Sequence, residues 1–294
     1  MMEPPFGRVL SAMVTPFAED GSLDLDVAAA LARHLVDEGG HDGLVVNGTG
    51  GEGPTTTDAE KRELVRAVVE AVGDRASVVA GVGTFDTRHT LELAGQAADA
   101  GAHGLLVVTP YYSKPPQRAL LEHFTRVADS TPLPVMLYDI PHRAGTEIST
   151  ATLLELGRHE RIVAVKDAKV DLVATTRVVA ETGLAYYCGD DAATLPMLAV
   201  GGVGVVGTST HFCGPQTAEL VRAHLAGDVG GALALHRRLL PVYTGVFATQ
   251  GVSMVKGTLR RLGRPVGRVR PPMVEATEEE LDTFWRQLDG AGLL

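Results

Sequence analysis

Arg161-Ile162-Val163-Ala164-Val165-Lys166-Asp167-Ala168-Lys169 is the stretch on which the reading of this chain turns. Four apolar residues, mostly β-branched, predict a short buried strand, and Lys166 stands where that strand gives way to a following helix. Burial there disfavours an ammonium and leaves neutral amine able to attack a carbonyl and form a Schiff base. The plainer alternative is a lysine that snorkels to the surface or pairs with Asp167. Both stay open on this stretch alone, because ionisable groups in such places mark sites only statistically.

Outward from Lys166, the same unit of apolar strand, Gly/Pro/Thr-rich turn and helix recurs roughly every 20 to 40 residues. Strands are expected over residues 9–15, 43–47, 77–81, 104–109, 134–138, 162–166, 185–188 and 202–206. Eight is the number that closes a parallel barrel, so the fold class expected is α/β, a (β/α)8 barrel with right-handed crossovers. Helix starts are marked between the strands. Thr57-Asp58-Ala59-Glu60 has the capping-box pattern ahead of Leu64, Val65, Val68, Val69 and Val72, while Asp86 and Ser149-Thr150 begin two more helices. Helical patterns over 216–226, 229–249, 252–262 and 277–289, with Pro271-Pro272 breaking the run, exceed what a barrel needs. The expected organisation is a catalytic barrel over residues 1–225 and a C-terminal helical extension over 226–294, packed on the barrel or on a neighbouring subunit, with no linker rich enough for a free second domain.

Composition narrows the class. The 294 residues are 45% hydrophobic, ample for a large core, and no apolar run approaches the roughly 18 residues of a membrane span. The start, Met1-Met2-Glu3-Pro4-Pro5-Phe6, lacks a basic segment followed by a long apolar one, so a cytoplasmic location is the default expectation. Cys188 and Cys213 lack CxxC or Cys/His spacing, which argues against a disulfide framework or zinc site. A net charge of −10 disfavours nucleic acid or an anionic membrane as partner, though a local arginine can still take an anionic small molecule.

In such a barrel the site is built after the C-terminal ends of the strands. What falls there is Asn47-Gly48-Thr49-Gly50-Gly51-Glu52-Gly53, Thr109-Pro110-Tyr111-Tyr112, Tyr138-Asp139-Ile140-Pro141-His142-Arg143, Lys166, Cys188-Gly189-Asp190-Asp191 and Val205-Val206-Gly207-Thr208. The glycine-rich turn can offer backbone N–H groups to a carboxylate or phosphate, but it lacks a P-loop lysine and the dinucleotide fingerprint, which rejects a nucleotide. Each residue also has a plainer reading: Thr49 as a turn residue, Tyr138 as a core ring, Tyr111-Tyr112 as packing at a subunit contact, Asp190-Asp191 as a helix cap, Glu52 as a turn carboxylate bonded to backbone. Arg143 is the natural clamp for an anion.

Gly43-Leu44-Val45-Val46-Asn47-Gly48-Thr49-Gly50-Gly51-Glu52 with Glu60, and Tyr138-Asp139-Ile140-Pro141-His142-Arg143 followed by Val165-Lys166-Asp167-Ala168, resemble the paired signatures of the dihydrodipicolinate synthase and N-acetylneuraminate lyase family. The likeness extends through Thr109-Pro110-Tyr111-Tyr112 and Gly189-Asp190-Asp191, and residues 55–74 and 101–118 look most like actinobacterial dihydrodipicolinate synthases. The resemblance implies a class I lyase needing no metal or cofactor, usually a homotetramer. Lys166 would form the Schiff base with pyruvate, and the enamine would attack the aldehyde of aspartate semialdehyde. By motif, Tyr138, Thr49 and Tyr112 would form a proton relay, with Tyr112 reaching across from the adjacent subunit. Arg143 would hold the semialdehyde carboxylate, and Gly189 and Val206 would supply backbone carbonyls near the lysine. Gly50 departs from the resemblance: most synthases carry a second threonine there, whose hydroxyl helps hold the pyruvate carboxylate. Its loss is expected to cost about 1.5 to 3 kcal/mol unless backbone N–H groups or a water replace it. The acceptor aldehyde is therefore less fixed than the Schiff base. The alternatives are a related pyruvate-dependent aldolase acting on a sugar acid or N-acetylmannosamine, and a catalytically silent paralogue.

Overall fold

A computed structural model describes residues 4–294. Its strands are β1 Val9–Ala12, β2 Gly43–Val46, β3 Ser77–Gly81, β4 Gly104–Val108, β5 Val135–Asp139, β6 Ile162–Asp167, β7 Ala185–Cys188 and β8 Gly204–Gly207. They pair in parallel in chain order, and β8 returns to β1, so the barrel closes as the eightfold pattern implied. β1, β2 and β4 stop one to three residues short of expectation at the upper face, whereas β5, β6 and β8 run one residue further there and β5 and β8 start one and two residues late, since strand ends are set by where the neighbouring strand stops pairing.

Among the described residues twelve α-helices accompany them: α1 Leu25–Arg33, α2 Asp58–Val72, α3 Thr87–Asp99, α4 Gln117–Asp129, α5 Pro141–Ala144, α6 Thr150–Leu156, α7 Leu172–Glu181, α8 Thr194–Ala199, α9 Thr210–Leu225, α10 Val229–Gly245, α11 Gly251–Arg261 and α12 Glu278–Gly290. The caps read from the sequence form. Thr57 and Glu60 make a reciprocal capping box on α2, Asp86 accepts from Arg88 N, and Ser149 accepts from Thr152 N. Two boundaries differ from expectation. α9 begins six residues early, at Thr210, and crosses Pro215 by breaking helical geometry at Cys213 (φ −129°, ψ 26°); a proline cannot donate to the preceding turn and crowds it, so the local pattern hid that first turn. α10 stops at Gly245, short of residue 249, and Gln250 caps α11.

Strand alternation divides the core into two layers. Leu44, Val78, Leu105, Leu137, Val165 and Tyr186 pack outward beneath the helices. Leu10, Val45, Val79, Leu106, Met136 and Ala164 fill the barrel interior. Phe6 closes the bottom. Gly104 makes room for it, since a Cβ there would come within 2.4 Å of the Phe6 ring, and the Tyr187 hydroxyl accepts from Phe6 N at 3.2 Å and donates to Gly7 O at 2.8 Å. The interior is thus sealed below and accessible only from the C-terminal ends of the strands. Among the described residues no helix is long and apolar enough to cross a membrane.

Candidate active site

Lys166 projects into the barrel because of an irregularity between β5 and β6. Val135 pairs with Ile162, but Met136 pairs with Ala164, so one extra residue, Val163, is accommodated in β6. Past this bulge Tyr138 is the register partner of Lys166. Without the shift its partner would be Val165, which faces the helices, and the tyrosine and amine would not share a face. Lys166 is 5% exposed and Tyr138 4%. The amine lies 4.3 Å from the centroid of the Tyr138 ring.

Asp167 is not the partner of Lys166. Its side chain turns to the other face of β6, where one carboxylate oxygen accepts from Lys169 N (2.7 Å) and Val170 N (2.8 Å) and the other from Thr175 Oγ1 (3.2 Å). The buried Asp139 accepts from Ile148 N at 3.1 Å and pairs with Lys169 Nζ at 3.1 Å. Burial raises the Asp139 pKa to about 6, and Lys169 limits the rise. These two carboxylates fasten the β5 and β6 loops from outside and leave the amine free inside.

A cavity of about 680 Å3 opens over the amine. Lys166, Tyr138, Thr49, Gly50, Arg143 and Gly189 all line it, so six of the eight positions singled out in the sequence come together. Val206 lies below, its side chain packed in the barrel interior. Tyr112 stands apart: it is 93% exposed and has a left-handed backbone, φ 73°. Its neighbour Tyr111 packs edge-on against Phe85, with 5.6 Å between centroids. Among the described residues the non-glycine positions with positive φ are Asn47, Glu52, Tyr112, Lys114 and Val170, all in loops after β2, β4 and β6. Such strain gathers where surrounding structure over-determines a working loop.

Two acidic groups differ from their simple reading. Asp190 caps a short turn as expected, accepting from Ala192 N. Asp191, however, is buried and accepts from Thr208 N, Ser209 N and the Ser209 hydroxyl, tying the β7 loop to the end of β8; burial raises its pKa against those donors. Glu52 does accept from a backbone group, Arg270 N at 2.7 Å, but it also pairs with Lys256 Nζ at 2.6 Å. The sequence reading also missed one whole wall of the cavity. Thr244, Phe247, Gln250, Val252 and Met273 line it from the C-terminal helices and their connections, and Arg143 Nη2 donates to Gln250 Oε1 at 3.4 Å. No local pattern could have announced them, since the approach spans about a hundred residues of chain (|i−j| = 107 for Arg143 and Gln250). Among the described residues no three His, Cys, Asp or Glu side chains gather as a metal site would require.

A barrel sealed below, with a buried amine over a phenol and an arginine at the mouth, is an arrangement of groups that amine-nucleophile chemistry can use. A model of the Dihydrodipicolinate synthetase family matches residues 5–291, and the chain belongs to that family. It is 65% identical over 288 residues to the 4-hydroxy-tetrahydrodipicolinate synthase of Acidothermus cellulolyticus, covering 98% of this chain and 93% of that one. The corresponding protein of Cutibacterium acnes is 61% identical over 98% of this chain and 99% of its own. Among solved structures, dihydrodipicolinate synthase from Cyanidioschyzon merolae superposes with a TM-score of 0.97 at 38% identity, covering 99% of this chain and all of the other. The Thermotoga maritima dihydrodipicolinate synthase gives 0.94 at 33% identity, with 99% and 100% covered.

Proposed function

We propose that this enzyme condenses pyruvate with L-aspartate 4-semialdehyde to give 4-hydroxy-tetrahydrodipicolinate, the committed chemistry of lysine and diaminopimelate synthesis. The observation that carries the reading is the Lys166 amine beside Tyr138 at the floor of a cavity closed from below. The names of relatives at 50–65% identity favour this reading over an aldolase acting on sugar acids.

The chemistry follows in steps. The Lys166 amine adds to the pyruvate ketone, and water leaves to give the imine. A proton lost from the methyl carbon then gives the enamine, whose carbon attacks the semialdehyde aldehyde and leaves a hydroxyl. Finally the substrate's own amine attacks the imine carbon, closing the ring and expelling the Lys166 amine, so one water is released overall. Each proton needs a carrier, and Tyr138 with Thr49, both lining the cavity, is the pair proposed for it. Arg143, at the rim, is proposed to hold the semialdehyde carboxylate, and the Gly50 and Gly189 backbones to hold pyruvate near the amine, with the Val206 carbonyl below. Tyr112, outward and strained, is proposed to complete the relay in a neighbouring protomer of a homotetramer. The chain from residue 226 is taken as an extension of the barrel.

Pyruvate consumption by the purified protein tests the proposal, with aspartate semialdehyde in one reaction and N-acetylmannosamine or glyceraldehyde in parallel. Turnover with the semialdehyde alone is expected, as is a borohydride-stabilised pyruvate adduct on the Lys166 peptide. Turnover only with a sugar aldehyde would make Gly50 the mark of a changed acceptor. An unmodified Lys166 peptide would remove the whole Schiff-base reading.

A further inference from the structure

The loop that carries Thr49 and Gly50 is held from outside the barrel. Two non-glycine residues in left-handed conformation bracket it, Asn47 (φ 58°) and Glu52 (φ 54°). Within it Gly51 N and Gly53 N donate to Gly48 O at 3.1 and 3.2 Å, and Glu52 N donates to Thr49 O at 3.2 Å. Hence the place of Glu52 sets the place of the Thr49 peptide directly. Further ties come from Thr15, in the connection after β1, whose Oγ1 donates to Gly51 O at 2.6 Å, from Asn47 Nδ2, which donates to Lys61 O of α2 at 3.1 Å, and from Thr56 Oγ1, which donates to Gly53 O at 3.0 Å.

What holds Glu52 is the C-terminal segment. Its carboxylate meets Lys256 Nζ of α11 at 2.6 Å and accepts from Arg270 N at 2.7 Å. Lys256 is wholly buried, donates also to Arg268 O at 2.9 Å, and sits 4.1 Å from the Phe17 ring centroid, with the Arg270 guanidinium 4.0 Å from the same centroid. The Arg270 side chain reaches back to Thr55 O (2.9 Å), Gly21 O and the Glu60 carboxylate (2.5 Å). A buried ion pair is weak evidence for stability, because desolvation offsets most of the attraction, but it specifies one geometry where an apolar pair would tolerate several. Burial lowers the Lys256 amine to about 8, and Glu52 opposes the shift.

We propose that Lys256 of α11, through Glu52, is a positioning residue for the substrate loop: the C-terminal segment sets where Thr49 and the Gly50 backbone stand relative to the Lys166 amine. This rests on the reading of Lys166 as the imine-forming group. The C-terminal helices are thereby part of the pyruvate site although no charged residue of theirs lines the cavity.

The test is the double variant Lys256→Met/Glu52→Gln, which removes both charges and leaves none buried alone, with the isosteric Glu52→Gln beside it. The expected result is a fall of about tenfold or more in kcat/KM for pyruvate, as small misplacements of positioning groups cause. In the proposed reading Arg143, after β5, holds the semialdehyde, so its kcat/KM is expected to fall much less. A loss of active protein alone would lower both equally. Amide hydrogen exchange over residues 47–55 is expected to quicken in the double variant while the barrel strands keep their protection. Unchanged pyruvate kinetics with unchanged exchange would overturn the proposal, as would outright unfolding of both variants, since the pair would then serve the fold and not the loop. Failure of the parent enzyme to trap pyruvate on Lys166 would instead sink the reading of the amine, and the exchange of the loop would still decide the clamp.

Discussion

Gly189→Ala probes the amine without removing a polar group. The new Cβ would stand 3.1 Å from Lys166 Cγ, Asp167 O and Ala168 Cβ, where ordinary contact begins at 3.4 Å, so a neighbour must give by a few tenths of an ångström. Two of the three cannot give readily. Asp167 O is locked by the bond it accepts from Gly189 N at 2.7 Å, and Ala168 is fixed through its own N–H to Asp139 O at 2.9 Å. The Lys166 stem is left to move, and its amine is carried with it. Crowding of this size costs about 1 kcal/mol, the low end for an overpacked core, and a drop of about 2 °C in Tm. The effect on rate is larger, about 10- to 100-fold in kcat/KM for pyruvate, because the reacting atom is displaced. Steady-state kinetics beside thermal unfolding reads both. A variant with the parent's kcat/KM would refute the reasoning, since it would mean that the crowding is relieved in the loop and never reaches the amine.

Three further outcomes are expected. Tyr138→Phe keeps the ring beneath the amine but removes the phenolic proton, so turnover is expected to fall by about 10²- to 10⁴-fold while borohydride still traps pyruvate on Lys166 at equilibrium; an unchanged kcat would exclude Tyr138 from proton transfer. Tyr112→Phe, at a side chain 93% exposed, is expected to lower turnover markedly with no change in Tm, and unchanged activity would remove Tyr112 from the relay. Acid is expected to destabilise the fold below pH 6.5. His123, bonded to Thr87 Oγ1, and His211, bonded to Thr208 O and facing Ser11, His41 and His34, are both lowered to about 4 by burial. The unfolded chain takes these protons near 6.5 and the fold does not, so their contribution is complete above 6.5 and is lost as pH falls toward 4, up to about 3 kcal/mol each. Asp139, raised to about 6, acts in the opposite sense between 6 and 3.8, and Asp191, also raised by burial, acts in that sense too, so the two carboxyls offset part of the histidine loss. His123→Gln should flatten the slope of Tm against pH in this window, and an unaltered slope would count against the assignment.

Much of the architecture is local and could be read along the chain. Eight short apolar runs separated by capped amphipathic helices leave few alternatives to a closed parallel barrel, and Thr57 with Glu60 or Ser149 with Thr152 settle helix starts within one turn. The residues that line the cavity were legible for the same reason, since strand ends mark the upper face and Lys166, Tyr138, Thr49 and Arg143 fall on it. The sequence by itself thus determined which groups are present and on which face they lie. Their mutual placement came only with the tertiary structure. A one-residue bulge in β6 turns Tyr138 toward Lys166 instead of Val165, and no periodicity reveals it because pairing register is a property of two strands. Glu52 likewise reads as an ordinary turn carboxylate until Lys256 and Arg270, some two hundred residues later, arrive against it. Contacts of that span are selected by how the whole chain closes and packs, and the local rules that place strands and helices carry no information about them.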